Sequence, residues 1–442
     1  MSSAVNGHEA GRAQLPALGA RFRFLFGVTG MSNLADGLLL IGVPLLALTF
    51  TRSPAQIALL SAAFTLPWLL LSLHVGVLVD RFDRVRLLSI AMSVRALVLA
   101  AAAAAGVAGQ LTMPVLIGLL VVLGTAEVFA DSAATVLVPA VVPRSRLAAA
   151  NSRVMGVQML MNAFVGGPLA GLVLGLGVGW FFGLSAGLCV VALVLVRFGL
   201  SGRVEGPVRS GPSTSFTADL KEGLRFLFGH EVLRPLLIGS TVMNFANAGY
   251  FAVYVLWVVG PQSTVGLDSQ LYGVLLGSIA VGAILGAVAT DRLQRWVREA
   301  RLIGVTWMLN SALLLVTALV PDVWVIGLAF VVVGFTNMVS NVTYASLRQR
   351  LVPDSLRGRT GGASRMLGYG CLPIGASLAG IIAEATGVGA VLIGASAVAL
   401  LAVAWAVSQV TQRMIDSADA SAQATEALTT RVASDIDTPR PS

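Results

Sequence analysis

Long apolar stretches separated by short polar segments run along almost the whole of this chain. Twelve of them reach about 20 residues, the length that an α-helix needs to cross the hydrocarbon core of a bilayer. They lie at approximately 23–47, 55–79, 87–107, 113–139, 154–178, 179–200, 233–258, 270–291, 300–320, 322–346, 365–386 and 388–409. The pattern predicts an all-α integral membrane protein with twelve transmembrane helices.

The composition excludes the soluble globular class. Of the 442 residues, 56% are hydrophobic and only 11% are charged, whereas about a quarter of the residues of soluble domains are charged. The two cysteines, Cys189 and Cys371, both fall inside predicted spans, which argues against a disulfide framework and against a cysteine metal site. The chain also lacks the metalloprotease, nucleophile-elbow and phosphate-loop motifs. We therefore expect no enzyme activity, no catalytic residue, no metal and no cofactor.

The positive charges are distributed by side of the membrane. If the spans alternate in direction, every one of the 29 lysines and arginines except Arg52 and Arg95 falls on the side of the N-terminus. Cytoplasmic loops carry such an excess of basic residues. The net charge of +8 is thus a topology signal and not a signal for nucleic acid, and it predicts that both termini are cytoplasmic.

An internal repeat divides the chain into two similar halves. The segment "GVLVDRFDRVR" after the second span returns after the eighth as "AVATDRLQRWVR", so that Asp80 corresponds to Asp291. The repeat predicts two pseudo-symmetric six-helix bundles, related about an axis along the membrane normal. The expected domains are a cytoplasmic N-terminus (1–22), an N-terminal bundle (23–200), a central cytoplasmic loop with a surface amphipathic helix (201–232), a C-terminal bundle (233–409) and a disordered cytoplasmic tail (410–442).

The repeated segment resembles the signature of the major facilitator superfamily in the loop between the second and third spans, with Asp83 where that signature usually has glycine. The resemblance implies a cytoplasmic gate, in which an acid at the membrane exit pairs with basic groups and holds that side closed. The alternative is that the arginines only set the topology. The gate residues would be Gly76, Asp80, Arg81, Arg84, Asp291, Arg292 and Arg295.

Two further stretches, "VPRSRLAAANS" and "RLVPDSLRGRTGGASRMLGYG", are similar to the drug:proton antiporter branch that contains macrolide and siderophore exporters. The resemblance covers about 20–412 and implies a location in the bacterial cell membrane. In the fifth span, Gly166, Gly167, Pro168 and Gly171 resemble the Gly-Pro motif of proton-driven exporters, with Leu172 where a further glycine is typical. These residues predict close helix packing and a kink; ordinary packing alone is the alternative.

Three carboxylates lie deep in spans of the first half, where an uncompensated charge is costly. Through the repeat, Asp36, Glu127 and Asp131 correspond to three amides. An amide satisfies a polar packing position without charge, whereas an acid is also able to take up and release a proton. The three acids are therefore predicted to couple transport to protons. The corresponding amides, with two neighbours, are candidates for lining a cavity: Asn244, Asn247, Tyr250, Asn337 and Asn341.

Arg95 is the one basic residue predicted inside a span, and it needs a carboxylate partner. Counting 1.5 Å per residue from the cytoplasmic ends puts Arg95 ~13 Å deep and Asp131 ~20 Å deep, so the sequence predicts that these two side chains meet. A static brace and a part of the proton path both fit such a pair.

The favoured function is proton-coupled efflux of amphipathic small molecules by alternating access, which makes a small-molecule substrate, protons and membrane lipid the expected partners of a functional monomer. A dedicated metabolite or siderophore exporter and a proton symporter fit the same scaffold. A membrane receptor that has lost transport is the alternative from another class, and it predicts that the buried acids are dispensable.

Overall fold

The computed structural model describes residues 18–200, 216–353, 356–421 and 423. Within this part of the chain, twelve helical spans are long and apolar enough to cross a membrane, which confirms the predicted fold class. The helices are α1 (Gly19–Ala47), α2 (Pro54–Arg81), α3 (Arg84–Val107), α4 (Met113–Val141), α5 (Leu147–Met159), α6 (Gly167–Gly175), α7 (Val178–Gly199), α8 (Phe216–Gly229), α9 (Leu233–Val258), α10 (Ser269–Trp296), α11 (Glu299–Leu319), α12 (Val323–Leu351), α13 (Arg357–Thr386) and α14 (Val388–Ser408). The fifth span consists of α5, a π-helix at Leu160–Gly166 and α6.

Polar caps and glycines set where several spans begin. Ser53 accepts a hydrogen bond from the backbone N–H of Gln56 at the start of α2, and the Asp322 carboxylate caps α12. Such caps satisfy N–H groups that have no partner inside the helix. Gly177 and Gly387 adopt positive φ angles of 122° and 88° immediately before α7 and α14. Both tight turns occupy the same place in the repeat, and only glycine takes this conformation without strain.

The two halves repeat the same packing. In the first half α1 packs on α7, α2 on α4, and α3 on both α4 and α7. In the second half α9 packs on α14, α10 on α12, and α11 on both α12 and α14. Each contact of the first half thus has its counterpart six spans later, as the sequence repeat predicts.

The halves meet mainly on one side of the bundle. We call the side where α1 begins and α2 ends the basic side, and the other the far side. One hydrophobic core on the far side contains residues of both halves, such as Leu46, Phe181 and Tyr254. Towards the basic side the core separates into clusters confined to one half, around Leu88 in the first and Leu347 in the second. The protein is therefore closed on the far side.

Close backbone contacts between the halves form the far-side seam. A Cβ on Gly273 of α10 would overlap the carbonyl oxygen of Gly167 in α6. A Cβ on Gly171 would lie 2.8 Å from the backbone oxygen of Gln270, and a Cβ on Gly380 of α13 would lie 3.0 Å from that of Pro54. Small residues permit this approach of helix backbones in membrane proteins.

Polar contacts reinforce the far-side seam. Glu384 at the end of α13 accepts a hydrogen bond of 2.7 Å from the Ser53 hydroxyl and one of 3.3 Å from the Ala55 backbone N–H. Arg52 donates a 3.1 Å hydrogen bond to the carbonyl oxygen of Val259. Each of these bonds joins the first half to the second, and the carboxylate lies at the positive N-terminus of α2.

Placing a leucine at Gly273 should prevent the far side from closing. The new side chain would collide with the Gly167 backbone, and such overpacking costs about 1–3 kcal/mol. We expect Gly273→Leu to lose transport and to accelerate thiol labelling of Ala58→Cys, a buried position that faces Gly380. Labelling of the purified protein, with Cys189 and Cys371 replaced by serine, measures this.

Gly183→Leu is the matched control, because a Cβ at Gly183 in α7 meets open space. It should leave transport and labelling unchanged. A Gly273→Leu protein with normal transport and slow labelling would show that the seam is not needed for closure.

The short helix α8 covers the second half on the basic side. The amphipathic helix expected in the central loop is α8, whose Leu227 is fully buried in the core of the second half. Arg359 of α13 forms ion pairs of 2.7 Å with Asp219 and Glu222 of α8. The helix thus packs on α13 rather than lying free on the surface. Residues 201–215, the first part of the predicted central loop, lie outside the described residues.

The tail is ordered further along the chain than the predicted boundary at residue 410. Residues 412–421 are helical, and Ile415 is buried against the second half. Arg350 pairs with Asp419 at 3.3 Å and with Glu299 at 2.6 Å. This segment packs because its few apolar residues, Met414, Ile415 and Ala418, recur at helical spacing and contact the core of the second half. Residues 424–442 lie outside the described part of the chain.

Candidate functional site

A buried cluster of charged residues lies where α1, α3 and α4 meet. Arg95 projects from α3, and the guanidinium forms ion pairs with Asp36 of α1 and with Glu127 of α4. It also donates a 2.9 Å hydrogen bond to the Ser32 hydroxyl. We call Asp36, Arg95 and Glu127 the triad. Arg95 is 1% exposed and Asp36 is 8% exposed, so these charges are removed from solvent and depend on one another.

The triad is electrically unbalanced. Two carboxylates face a single guanidinium, so the group has one net negative charge when both acids are ionised. One carboxylate oxygen of Asp36, Oδ2, is buried without a hydrogen-bond partner among the described residues. A single proton on either acid removes the net charge and converts a carboxylate oxygen into a donor. The arrangement is therefore chemically suited to bind one proton reversibly.

Glu127 is the most exposed member of the triad. Its side chain is 16% exposed, more than that of either partner, and it lies on the same face of α4 as Asp131. Of the two acids, Glu127 is therefore the more accessible to solvent.

The expected pairing of Arg95 with Asp131 is wrong. The two terminal nitrogens of Arg95 donate to Asp36, Glu127 and Ser32, and Asp131 lies one turn further toward the basic side. One turn is about 5.4 Å. Depths counted from the ends of separate helices are too imprecise to distinguish Glu127 from Asp131 over that distance. Asp131 instead lies partly exposed, close enough to Arg365 of α13 for an electrostatic interaction across the two halves.

The corresponding positions of the second half hold uncharged groups. Asn341 donates a 2.8 Å hydrogen bond to the side-chain oxygen of Asn337, one turn earlier on α12. These two amides correspond by the repeat to Asp131 and Glu127. The first half thus carries the ionisable groups, and the second half presents amides at the same places.

A cavity of about 490 Å³ lies in the second half beside these amides. Of the candidate lining residues, Asn244, Asn337 and Asn341 line it. Tyr250 does not, because its side chain is 1% exposed and its hydroxyl contacts Thr317 at 2.7 Å. Asn247 is also absent from the lining.

The expected gate is only partly described. The side chains of Gly76, Asp80 and Arg81 lie outside the described residues. Asp80 and Arg84 belong to different helices, because α2 ends at Arg81 and α3 begins at Arg84.

Two other features of the gate segments are clear. Asp83 accepts hydrogen bonds from two backbone N–H groups at the start of α3, which explains an acid where the signature usually has glycine. In the second half, Asp291, Arg292 and Arg295 are exposed near the end of α10.

The Gly-Pro segment of the fifth span coincides with a change of helix type. The π-helix ends at Gly166, and Pro168 occupies the first turn of α6. Proline has no N–H to donate to the preceding turn, which is a known cause of local helix distortion. Gly166 packs against the backbone of Gly37 in α1, while Gly167 and Gly171 belong to the far-side seam. The segment therefore contacts both halves.

Several site residues were not singled out from the sequence. Ser32 gave no signal, since serines are common in membrane helices. Arg365 was counted only as a topology residue, although it lies eight residues inside α13, or ~12 Å from the first residue of the helix. That depth is the signal that distinguishes it from arginines at the membrane surface.

Comparisons with known proteins agree with this architecture. Residues 15–440 match the family of transmembrane secretion effectors. The multidrug efflux pump Tap of Mycobacterium tuberculosis is 27% identical over 387 residues, covering 84% of this chain and 88% of that protein. The enterobactin exporter EntS of Salmonella typhimurium is 26% identical over 366 residues, covering 81% and 84%.

Solved structures show the same fold at low sequence identity. The nucleoside transporter NupG superposes with a TM-score of 0.66 at 15% identity, covering 88% of this chain and 98% of that one. A bacterial homologue of the human lysosomal transporter Spinster, in an inward-facing and unoccupied conformation, gives a TM-score of 0.67 at 15% identity, covering 91% and 99%. The chain is a multi-pass bacterial membrane transporter that belongs to the transmembrane secretion effector family of the major facilitator superfamily.

Proposed function

We propose that this transporter expels amphipathic small molecules from the bacterial cell in exchange for protons, by alternating access. The observation that carries the proposal is the triad, in which two buried carboxylates share one guanidinium. Packing does not require both acids, because the second half has amides at the repeated positions. Proton exchange does require an acid.

The proposed cycle follows from the charge of the triad. A proton that enters while the cavity faces outside neutralises the buried net charge, and the neutral triad favours a state from which the proton leaves to the cytoplasm. Substrate is bound from the cytoplasmic side and released outside in the opposite step. Each ligand changes the balance between two conformations by its different affinity for them.

The direction of transport is supported by the relatives. Tap is named a multidrug efflux pump and EntS an enterobactin exporter. The Gly-Pro segment contributes to the far-side seam, the part of the protein that must open to release an exported molecule. Since each chain contains both halves, the triad and the cavity of the second half, we propose that the monomer is the functional unit, with lipid around it.

A second candidate function is the export of one dedicated metabolite such as a siderophore. The similarity to EntS supports it, and so does the polar lining of the cavity in the second half. The two functions differ in breadth: a dedicated exporter changes the handling of one compound, whereas a multidrug pump changes susceptibility to several unrelated ones.

A susceptibility panel tests the proposed function. Cells with and without the gene are compared over structurally unrelated amphipathic drugs, and the comparison is repeated with a protonophore. We expect the gene to raise resistance to several of them and the protonophore to remove that effect. Resistance to none of them, or resistance that survives the protonophore, would contradict proton-coupled multidrug efflux.

The basic side of the protein should face the cytoplasm. In intact cells, an impermeant thiol reagent should label Gln110→Cys or Ser269→Cys, which are exposed on the far side. It should fail to label Ser210→Cys in the central loop until the membrane is permeabilised. Labelling of Ser210→Cys in sealed cells would show that the basic side faces outside and that the proposed orientation is wrong.

A further inference from the structure

The cavity in the second half has the size and depth of a small-molecule site. Its volume of about 490 Å³ lies in the usual range for such sites. It extends from Asn337, halfway along α12, to Arg348 near the end of that helix on the basic side. The cavity is thus reached from the proposed cytoplasmic side.

Among the described residues, the charged groups of the lining are all positive. Arg348 and Arg365 line the cavity, and the other described lining residues include no aspartate or glutamate. Among the described residues, Arg365 forms no hydrogen bond or ion pair; its electrostatic partner is Asp131 of the other half. Arginine presents a planar fork of donors that fits carboxylate and phosphate groups.

Two further donors in the lining lack acceptors. The Ser364 hydroxyl is buried without a hydrogen-bond partner in the described part of the chain. The Tyr344 hydroxyl is also buried and, although it lies near Ser240, it makes no hydrogen bond of good geometry. Buried polar groups are normally satisfied, so both hydroxyls point to an acceptor that the bound ligand supplies.

Aromatic surface lies beside these polar groups. Tyr369 of α13, which is 52% exposed, and the largely buried Trp307 of α11 line the cavity. The ring of Tyr369 stacks on Trp68 of α2 in the first half, with ring centroids 5.8 Å apart. The lining therefore offers cationic donors and flat apolar faces together, which suits an aromatic acid rather than a hydrophobic cation.

We propose that this cavity is a substrate subsite that binds the anionic oxygen group of an amphipathic aromatic compound, held by Arg365 and Arg348 with the ring against Trp307 and Tyr369. The inference rests on the proposed transport function and specifies the charge of its substrate. Arg365 is shared between the substrate anion and Asp131, which places the substrate in electrostatic contact with the half that carries the triad.

Equilibrium binding tests the subsite without any proton gradient. The probes are 2-naphthoate and salicylate, each paired with its neutral methyl ester, added to the purified transporter in phosphatidylcholine nanodiscs. We expect the wild type to bind at least one acid more tightly than its ester. Arg365→Gln combined with Arg348→Gln should weaken that acid at least about tenfold, since a charge-assisted hydrogen bond is lost, and should leave the ester unchanged.

The control variant is Arg301→Gln, which removes an exposed arginine of the basic side outside the cavity. It should bind all probes as the wild type does. The proposal is overturned if no acid binds, if the esters bind as well as the acids, or if the double variant binds the acid normally. Because no gradient is present, failure of proton coupling leaves these results unaffected.

An anionic lipid head group has the same chemistry as the proposed ligand. Binding is therefore repeated in nanodiscs that contain phosphatidylglycerol. We expect the affinity for the acid to be the same in both membranes. Loss of acid binding in the anionic membrane would assign the arginines to lipid and overturn the subsite.

Discussion

Replacing Arg95 by methionine should destabilise the protein by about 3–5 kcal/mol, because it leaves Asp36 and Glu127 buried without their cation. The hydrophobic contacts of the side chain are largely retained, so the loss reports the charge and its hydrogen bonds. We expect a marked fall in the thermal unfolding temperature of the purified protein and in the amount inserted into the membrane.

The stability should return when the acids are neutralised as well. The triple variant Arg95→Met, Asp36→Asn, Glu127→Gln has no buried charge to leave unpaired, and replacing a whole buried ion cluster is often neutral for stability. Arg301→Met, at an exposed position, serves as the control for loss of an arginine. An Arg95→Met protein as stable as the wild type would mean that the triad does not hold these three helices together.

Glu127→Gln and Asp36→Asn should each abolish transport driven by a pH gradient while sparing substrate binding. Each amide keeps nearly the shape of the acid and reproduces what the second half carries at the repeated position. Neither amide is able to take up a proton in the physiological range. Proteoliposomes with an imposed pH gradient measure the driven transport, and substrate exchange without a gradient measures the remaining activity.

Asp131→Asn provides the comparison within the same helix. Asp131 lies one turn from Glu127 but outside the triad, so we expect slower transport with the coupling to protons retained. If Asp36→Asn and Glu127→Gln both retain full, protonophore-sensitive transport, the acids are polar packing groups and the proposed coupling is wrong.

The spans were predictable because the property that determines them, the length of an apolar stretch, is local in the sequence. Apolar length fixes where a helix crosses, and the predicted spans agree with the observed helices to within a few residues for most of them; α13 begins eight residues before its predicted span. The internal repeat also predicts which helices touch, since duplicated segments pack alike. Gly177 and Gly387 show this in detail, because both turns need the same positive φ.

The partner of Arg95 was not predictable by the same reasoning. Depth counted from helix ends is one coordinate, whereas the tilt and rotation of each helix come from packing against its neighbours. Glu127 and Asp131 share a face of α4 one turn apart, and a long arginine side chain reaches either.

The cavity of the second half was only partly visible in the sequence. Its amides could be named from the repeat, but its arginines resembled the topology residues around them. What distinguishes Arg365 is its position inside α13 and on the face toward α12, which depends on the packing of both helices.

In the proposed proton-coupled cycle, the uneven charge of the triad makes the membrane voltage a second force on the transporter. With both carboxylates ionised the triad is negative by one charge, and with one of them protonated it is neutral. Only the ionised form moves charge through the electric field when access changes sides, and a full charge crossing 100 mV gains or loses about 2.3 kcal/mol. The membrane potential therefore acts through the triad on the return of the proton-free carrier. It does not act through the triad on the reorientation of the protonated carrier, in which the triad is neutral. A cell that loses its pH gradient but keeps its potential would thus still exert a force on this exchange.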